Sequence, residues 1–136
     1  MSALEALRDS LSETRPAPDL VDAIWSARRS ELVGLAPELA RLLHHSDPVV
    51  REEAVSVLGT AWRIRTYRPT VIGMLRQDAD FGVRVRCVSA LAAMSTKDTR
   101  SEDIDLLRQV VEDRTEDVGV VAAARQALEE LRQSGA

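Results

Sequence analysis

The chain has 136 residues, a formal net charge of -4 and 45% hydrophobic residues, the size and apolar content of one soluble globular domain. Aromatics are only 3%, so the core must be built from Ala, Leu and Val, the material of closely packed helices. A single cysteine excludes an intramolecular disulfide, no apolar run approaches the roughly 18 residues of a membrane span, and no Asn-Gly or Asp-Gly hairpin signal occurs.

The first 34 residues are helical in character. Leu4, Leu7 and Leu11 fall at helical spacing, "RPAP" interrupts, and Leu20, Ile24 and Ala27 resume. Gly34 followed by Pro37 predicts a helix end and a restart. Acids are spread through "MSALEALRDSLSETR" with no apolar core of the signal-peptide kind, so a cytoplasmic protein is expected. Beyond residue 34 the pattern becomes periodic. "APELARLLHH" offers Leu39, Leu42 and Leu43, and is followed by "DPVVREEAVSVLG" from Asp47. "RPTVIGMLRQ" offers Val71, Ile72 and Leu75, and is followed by "DFGVRVRCVSALA" from Asp80. "SEDIDLLRQVVED" offers Ile104, Leu107, Val110 and Val111, with Thr99 and Glu102 at capping-box spacing, and is followed by "DVGVVAAARQALE" from Asp117.

Superimposed on their aspartates, the three second strings agree. Three positions on stand Val50, Val83 and Val120; seven on, Ala54, Cys87 and Ala124; ten and eleven on, Val57-Leu58, Ala90-Leu91 and Ala127-Leu128. Those offsets lie on one face of an α-helix, and an aspartate just before the helix is an N-cap. The unit is helix, turn, helix, recurring after 33 and then 37 residues, which is the signature of an α-solenoid. Positions between the buried ones are Glu52, Glu53, Ser56 and Arg63, then Val85, Arg86 and Ser89, then Ala122, Ala123, Gln126 and Glu130.

The pattern D-x-x-V-R-x-x-A-x-x-A-L-G after an amphipathic helix resembles HEAT repeats over roughly residues 35–131, most closely the short bacterial repeats of phycobilin lyase-like proteins. The resemblance implies an all-α, short right-handed α-solenoid of helix pairs. Its repeats would span 35–66, 67–98 and 99–131, with 1–34 as a helical cap and 132–136 as a fraying tail. It also implies a structural ladder of Asp47, Arg51, Asp80 and Arg84 that fails at the last unit, where Val121 replaces the arginine. Second helices would face the concave side.

Few residues suggest chemistry. His44 and His45 point about 100° apart on a helix and cannot share a metal ion. Cys87 occupies an alanine position and reads as a small core residue. Glu52-Glu53 and Glu129-Glu130 diverge as neighbours, and the glycines are isolated, so neither a carboxylate pair nor a phosphate loop is evident. No catalytic residue, metal or cofactor is expected.

The segment "TAWRIRTYRP" is richer. Trp62, Arg63, Arg65, Tyr67 and Arg68 have the composition of an interaction hot spot, or else the rings pack between repeats and the arginines are solvated. Charge is also sorted along the chain: residues 61–100 carry eight basic groups against three acids, while both flanks are acidic. The mixed inner face, with Glu53, Arg86 and Ser89 beside the Arg-rich segment, suits a partner protein bound by an adaptor, regulator or inhibitor such as an immunity-type protein. Nucleic-acid binding through the basic middle, a role as a subunit of a lyase-like complex, and a homodimer instead of a monomer are the alternatives.

Overall fold

The computed structural model describes residues 2–134 and is all-helical there, with no strand among the described residues. Eight α-helices follow one another: α1 (Ala3–Ser10), α2 (Ala17–Arg29), α3 (Ala36–Leu42), α4 (Pro48–Val55), α5 (Arg68–Gln77), α6 (Phe81–Met94), α7 (Arg100–Glu112) and α8 (Val118–Ser134). A π-helical turn, Ser56–Ala61, extends α4, and 3-10 turns at Val33–Leu35 and Arg65–Tyr67 lead into α3 and α5. Arg132–Ser134, placed in the expected tail, continue α8, and the last two residues lie outside the described ones.

The starts of the second helices follow from the sequence. Asp47 accepts the Val49 amide at 2.8 Å, Asp80 the Val83 amide at 3.0 Å and Asp117 the Gly119 amide at 2.8 Å, so each carboxylate satisfies a free N–H at a positive helix end. Pro48 occupies the opening turn of α4 and Pro69 that of α5, where a missing N–H is harmless. The Thr99–Glu102 capping box does not form: Thr99 Oγ1 donates to Asp103 Oδ2 at 2.8 Å instead, and Glu102 is exposed.

Packing follows the repeat. Val50, Val83 and Val120, then Ala54, Cys87 and Ala124, are fully buried, and Leu58, Leu91 and Leu128 complete the seam. Through it α2 packs on α4, α4 on α6 and α6 on α8, while α3, α5 and α7 each lie mainly on their own second helix and touch one another far less. One row of helices is therefore drawn together and the other splayed, which curves the stack and makes the second-helix side concave. This is a short α-solenoid. The cap joins it through Leu20, Ile24 and Ala27 of α2, all buried.

Two backbone features depart from the periodic reading. Helix α2 ends at Glu31, whose φ of 51° is left-handed; its amide and that of Leu32 close back onto Arg28 and Ala27 in a Schellman pattern. Gly34, the expected terminator, sits three residues on with Leu4 of α1 beside it, 3.1 Å from where a Cβ would stand. The π turn is the second departure. In repeat 2 the buried residue after Leu91 is Met94, three positions on; in repeat 1 Ala61 is exposed at that offset and Trp62, one further, packs on the core. The wider turn absorbs the extra residue, closing with Trp62 N–H to Val57 at 2.8 Å and Ile64 N–H to Leu58 at 3.0 Å.

That turn presses against α6. A methyl at Gly59 would collide with the Ala90 Cβ, an atom fixed to the helix backbone. Gly59→Ala is expected to lower stability by about 1–3 kcal/mol in urea unfolding, the cost of overpacking a tight helix contact.

Candidate partner-binding groove

The ladder arginines bind different acids from those expected. Arg51 forks onto Asp78 with two bonds of 2.9 Å and donates to the carbonyls of His45 and Ser46. Arg84 reaches Glu116 at 2.8 Å and donates to the Asp78 carbonyl at 2.7 Å. Each arginine thus ties the turn before its own helix to the turn of the next repeat. Asp47 and Asp80 are not in these pairs because their carboxylates are engaged as N-caps. The acids lie just upstream, where Asp78 and Glu116 also accept the amides of Asp80 and Asp117. His45 takes the same place in repeat 1, its Nδ1 accepting the Asp47 amide at 3.0 Å. Val121 carries no donor, so this arrangement has no third rung.

Burial alone would raise the Asp78 carboxyl, but the Arg51 hydrogen bonds, the Asp80 amide and the charges of Arg51 and Arg84 outweigh it and hold its pKa below the usual aspartate value. Arg51 is raised correspondingly, chiefly by its bond to Asp78.

The Arg-rich segment divides. Arg65 Nε caps the end of α6 at the Met94 carbonyl, 3.2 Å away. Arg68 turns inward to Asp103 at 2.5 Å, the one fully buried charged residue among those described, with Glu102 at 3.5 Å. Burial opposes the Arg68 charge, yet the Asp103 hydrogen bond and both carboxylates prevail and raise its pKa. Trp62 and Tyr67 pack against the core. Of the five residues, Arg65, Arg68 and both rings act as a clasp between repeats, and of the two exposed arginines, Arg63 and Arg65, only Arg63 makes no bond to the rest of the fold. Its φ of 54° is left-handed, unfavourable for a side-chain-bearing residue, and places it beside α6 and α8.

There a groove of about 370 Å³ gathers Thr60 and Arg63 of repeat 1, Ser89, Ala92 and Ala93 of α6, and Ala123, Gln126, Ala127 and Glu130 of α8. It continues into a recess of about 400 Å³ that shares Arg63, Ala92, Ala93 and Glu130 and adds Ser95, Thr96, Lys97 and Arg100. Residues from three repeats thus meet on the concave side. Of the expected partner contacts, the groove takes in Arg63 and Ser89. Glu53 lies toward α2, accepting from Trp25 Nε1 at 2.8 Å, and Arg86 is exposed nearer Glu52. Burial pushes the Glu52 carboxyl up, against the opposing charge of Arg86. Lys97 and Arg100 counted only toward the basic middle segment in the sequence; their place, in the α6–α7 turn and at the first residue of α7, lies outside the register of the second helices.

Cys87 is enclosed, and burial pushes its thiol up to about 12, far from a reactive thiolate. His44 is exposed and His45 part-buried at the end of α3, beside a shallow recess of about 640 Å³ between α3 and α5 whose charged residues Arg51 and Asp78 already bind each other. No group of three or more potential metal ligands occurs among the described residues, nor is any helix long and apolar enough to cross a membrane.

Two outcomes are expected. Asp78 has the lower pKa in the folded state, so its stabilisation is complete above the ordinary aspartate value near about 4 and is lost as pH falls through the folded value. Asp78→Asn should therefore cost about 1–3 kcal/mol near neutral pH and flatten the acid limb of a stability–pH curve measured by urea unfolding. Cys87 should resist a thiol-reactive chromogenic disulfide in the native protein and react at once in denaturant.

A family model described as HEAT repeats matches residues 35–131. Comparison with curated proteins and with solved structures gave no match. The matched span starts in the 3-10 turn before α3 and ends in α8, enclosing the three stacked helix pairs, their Asp caps and the Arg51 and Arg84 rungs. The chain belongs to the HEAT-repeat family.

Proposed function

We propose that this protein is a non-catalytic interaction module that holds a partner protein in its concave groove, as an adaptor, regulator or inhibitor of that partner. The observation that carries this reading is the convergence of side chains from three repeats on one groove: Thr60 and Arg63, Ser89 and Ala93, Ala123 and Gln126. Its floor is mostly alanine, which lets a partner's backbone or side chains approach closely, and its margin is polar. The seam of the solenoid holds that shape before any partner arrives, so binding need not order it. The enclosed Cys87 supplies no nucleophile to the groove, which favours binding over covalent chemistry.

Nucleic-acid binding through the basic middle is the second reading, favoured by the lip formed by Arg63, Lys97 and Arg100. Against it, Arg68 and Arg84 are largely buried on Asp103 and Glu116, and Arg65, though exposed, is tied to the Met94 carbonyl, so the basic middle does not present a continuous phosphate track.

A photo-reactive residue placed at Ser89, in the groove, or at Gly73, an exposed site on α5, tests the proposal in native extract. A single protein adduct from position 89 and none from position 73 is expected. Adducts from 73 alone, or none from either at physiological salt, contradict it.

A further inference from the structure

The positive charges of the protein are unevenly committed. Arg8, Arg51, Arg68 and Arg84 each bind a carboxylate on another element at 2.5 to 2.9 Å. Arg63, Lys97 and Arg100 form no ion pair with any described residue, yet all three line the same recess at the end of the groove. The one acid lining it is Glu130, whose Oε1 accepts weakly from Gln126 at 3.4 Å. Three cations therefore face one anion at that end. At the other end of the same concave side, Glu52 stands with Arg86 beside it and Glu53 accepts from Trp25, so no positive excess continues there. Arg63 reaches the recess only through a left-handed backbone, a strained conformation that a glycine in its place would relieve.

We infer that the basic end of the groove is a receptor for a short acidic segment of the partner protein, whose Asp or Glu carboxylates pair with Arg63, Lys97 and Arg100. The inference rests on the interaction-module reading and names the chemistry of its partner. A carboxylate cluster fits better than a nucleic-acid strand. Three cations beside Glu130 neutralise two or three charges locally, whereas successive phosphates would have to run on along the alanine floor toward Glu52 and Glu53. Long-range attraction to a polyanion is also weak in a chain of net charge -4.

The probe is a fluorescein-labelled hexaglutamate peptide, followed by anisotropy at low salt, with hexaglutamine and a ten-nucleotide thymidine strand as comparisons. Saturable binding of hexaglutamate is expected, none of hexaglutamine, and a loss of about tenfold or more in affinity for the double variant Lys97→Glu, Arg100→Glu. Arg76→Glu, on the exposed side of α5, should leave it unchanged. Arg63→Gly should weaken binding while raising the melting temperature by about 2–5 °C, because the strain goes with the side chain; a purely structural arginine would lower both. No saturable hexaglutamate binding, binding indifferent to the Lys97 and Arg100 reversals, or tighter binding of the thymidine strand overturns the inference. An adduct at Ser89 that survives both reversals removes the acidic segment and leaves the groove reading standing, so the two fail separately.

Discussion

The close approach of successive second helices constrains the rest of the molecule. Valine, alanine, cysteine and leucine alternate along the seam so that α4, α6 and α8 meet at short range, and where the π turn crosses α6 only Gly59 against Ala90 fits. Bulkier side chains there would push the helices apart and flatten the stack. Because the first helices carry no matching seam to one another, they splay, and the concavity on the opposite side follows from packing alone. The groove is therefore a consequence of the core, and its shape is as rigid as that core.

Polar groups then finish what the seam begins. The turns on the other side of each repeat contain free amides and carbonyls, and the Arg51–Asp78 and Arg84–Glu116 forks pin each to the next. Asp47, Asp80 and Asp117 are thereby left to cap their own helices. Arg68 of α5 and Asp103 of α7 perform the same service between repeats 2 and 3. What distinguishes Arg63, Lys97 and Arg100 is that, unpaired, they share one recess with a single acid, Glu130. Three cations without ion pairs, set beside the groove with a single acid among them, give that end of the concave side a local positive excess.

The helix pairs and the buried seam were legible in the sequence because offsets of three, seven, ten and eleven after an aspartate have one physical meaning, a single helix face held by an N-cap. The same register indicated the groove-lining residues Ser89, Ala123, Gln126 and Glu130. What escaped it lies in the turns. The ladder acids stand one or two residues before the caps, and a family likeness centred on Asp47 and Asp80 points to the wrong carboxylates. Glu31 ends α2 in a conformation usually given to glycine, while Gly34 has a packing role. The π turn leaves no compositional mark; only the displacement of Trp62 relative to Met94 betrays it. Lys97 sits between α6 and α7 and Arg100 opens α7, both outside the register of the second helices, and Arg65 and Arg68 look like unattached charge until their distant partners, 29 and 35 residues along the chain, are in view.

Native-state hydrogen exchange, followed amide by amide, tests the central claim most directly. If the seam holds the solenoid together, the amides of α4, α6 and α8 around Val50, Val83 and Val120 exchange last and with a common opening free energy, while α1 and the outward faces of α3, α5 and α7 exchange earlier. Slowest exchange in the first helices, or unrelated protection among the three second helices, would contradict it.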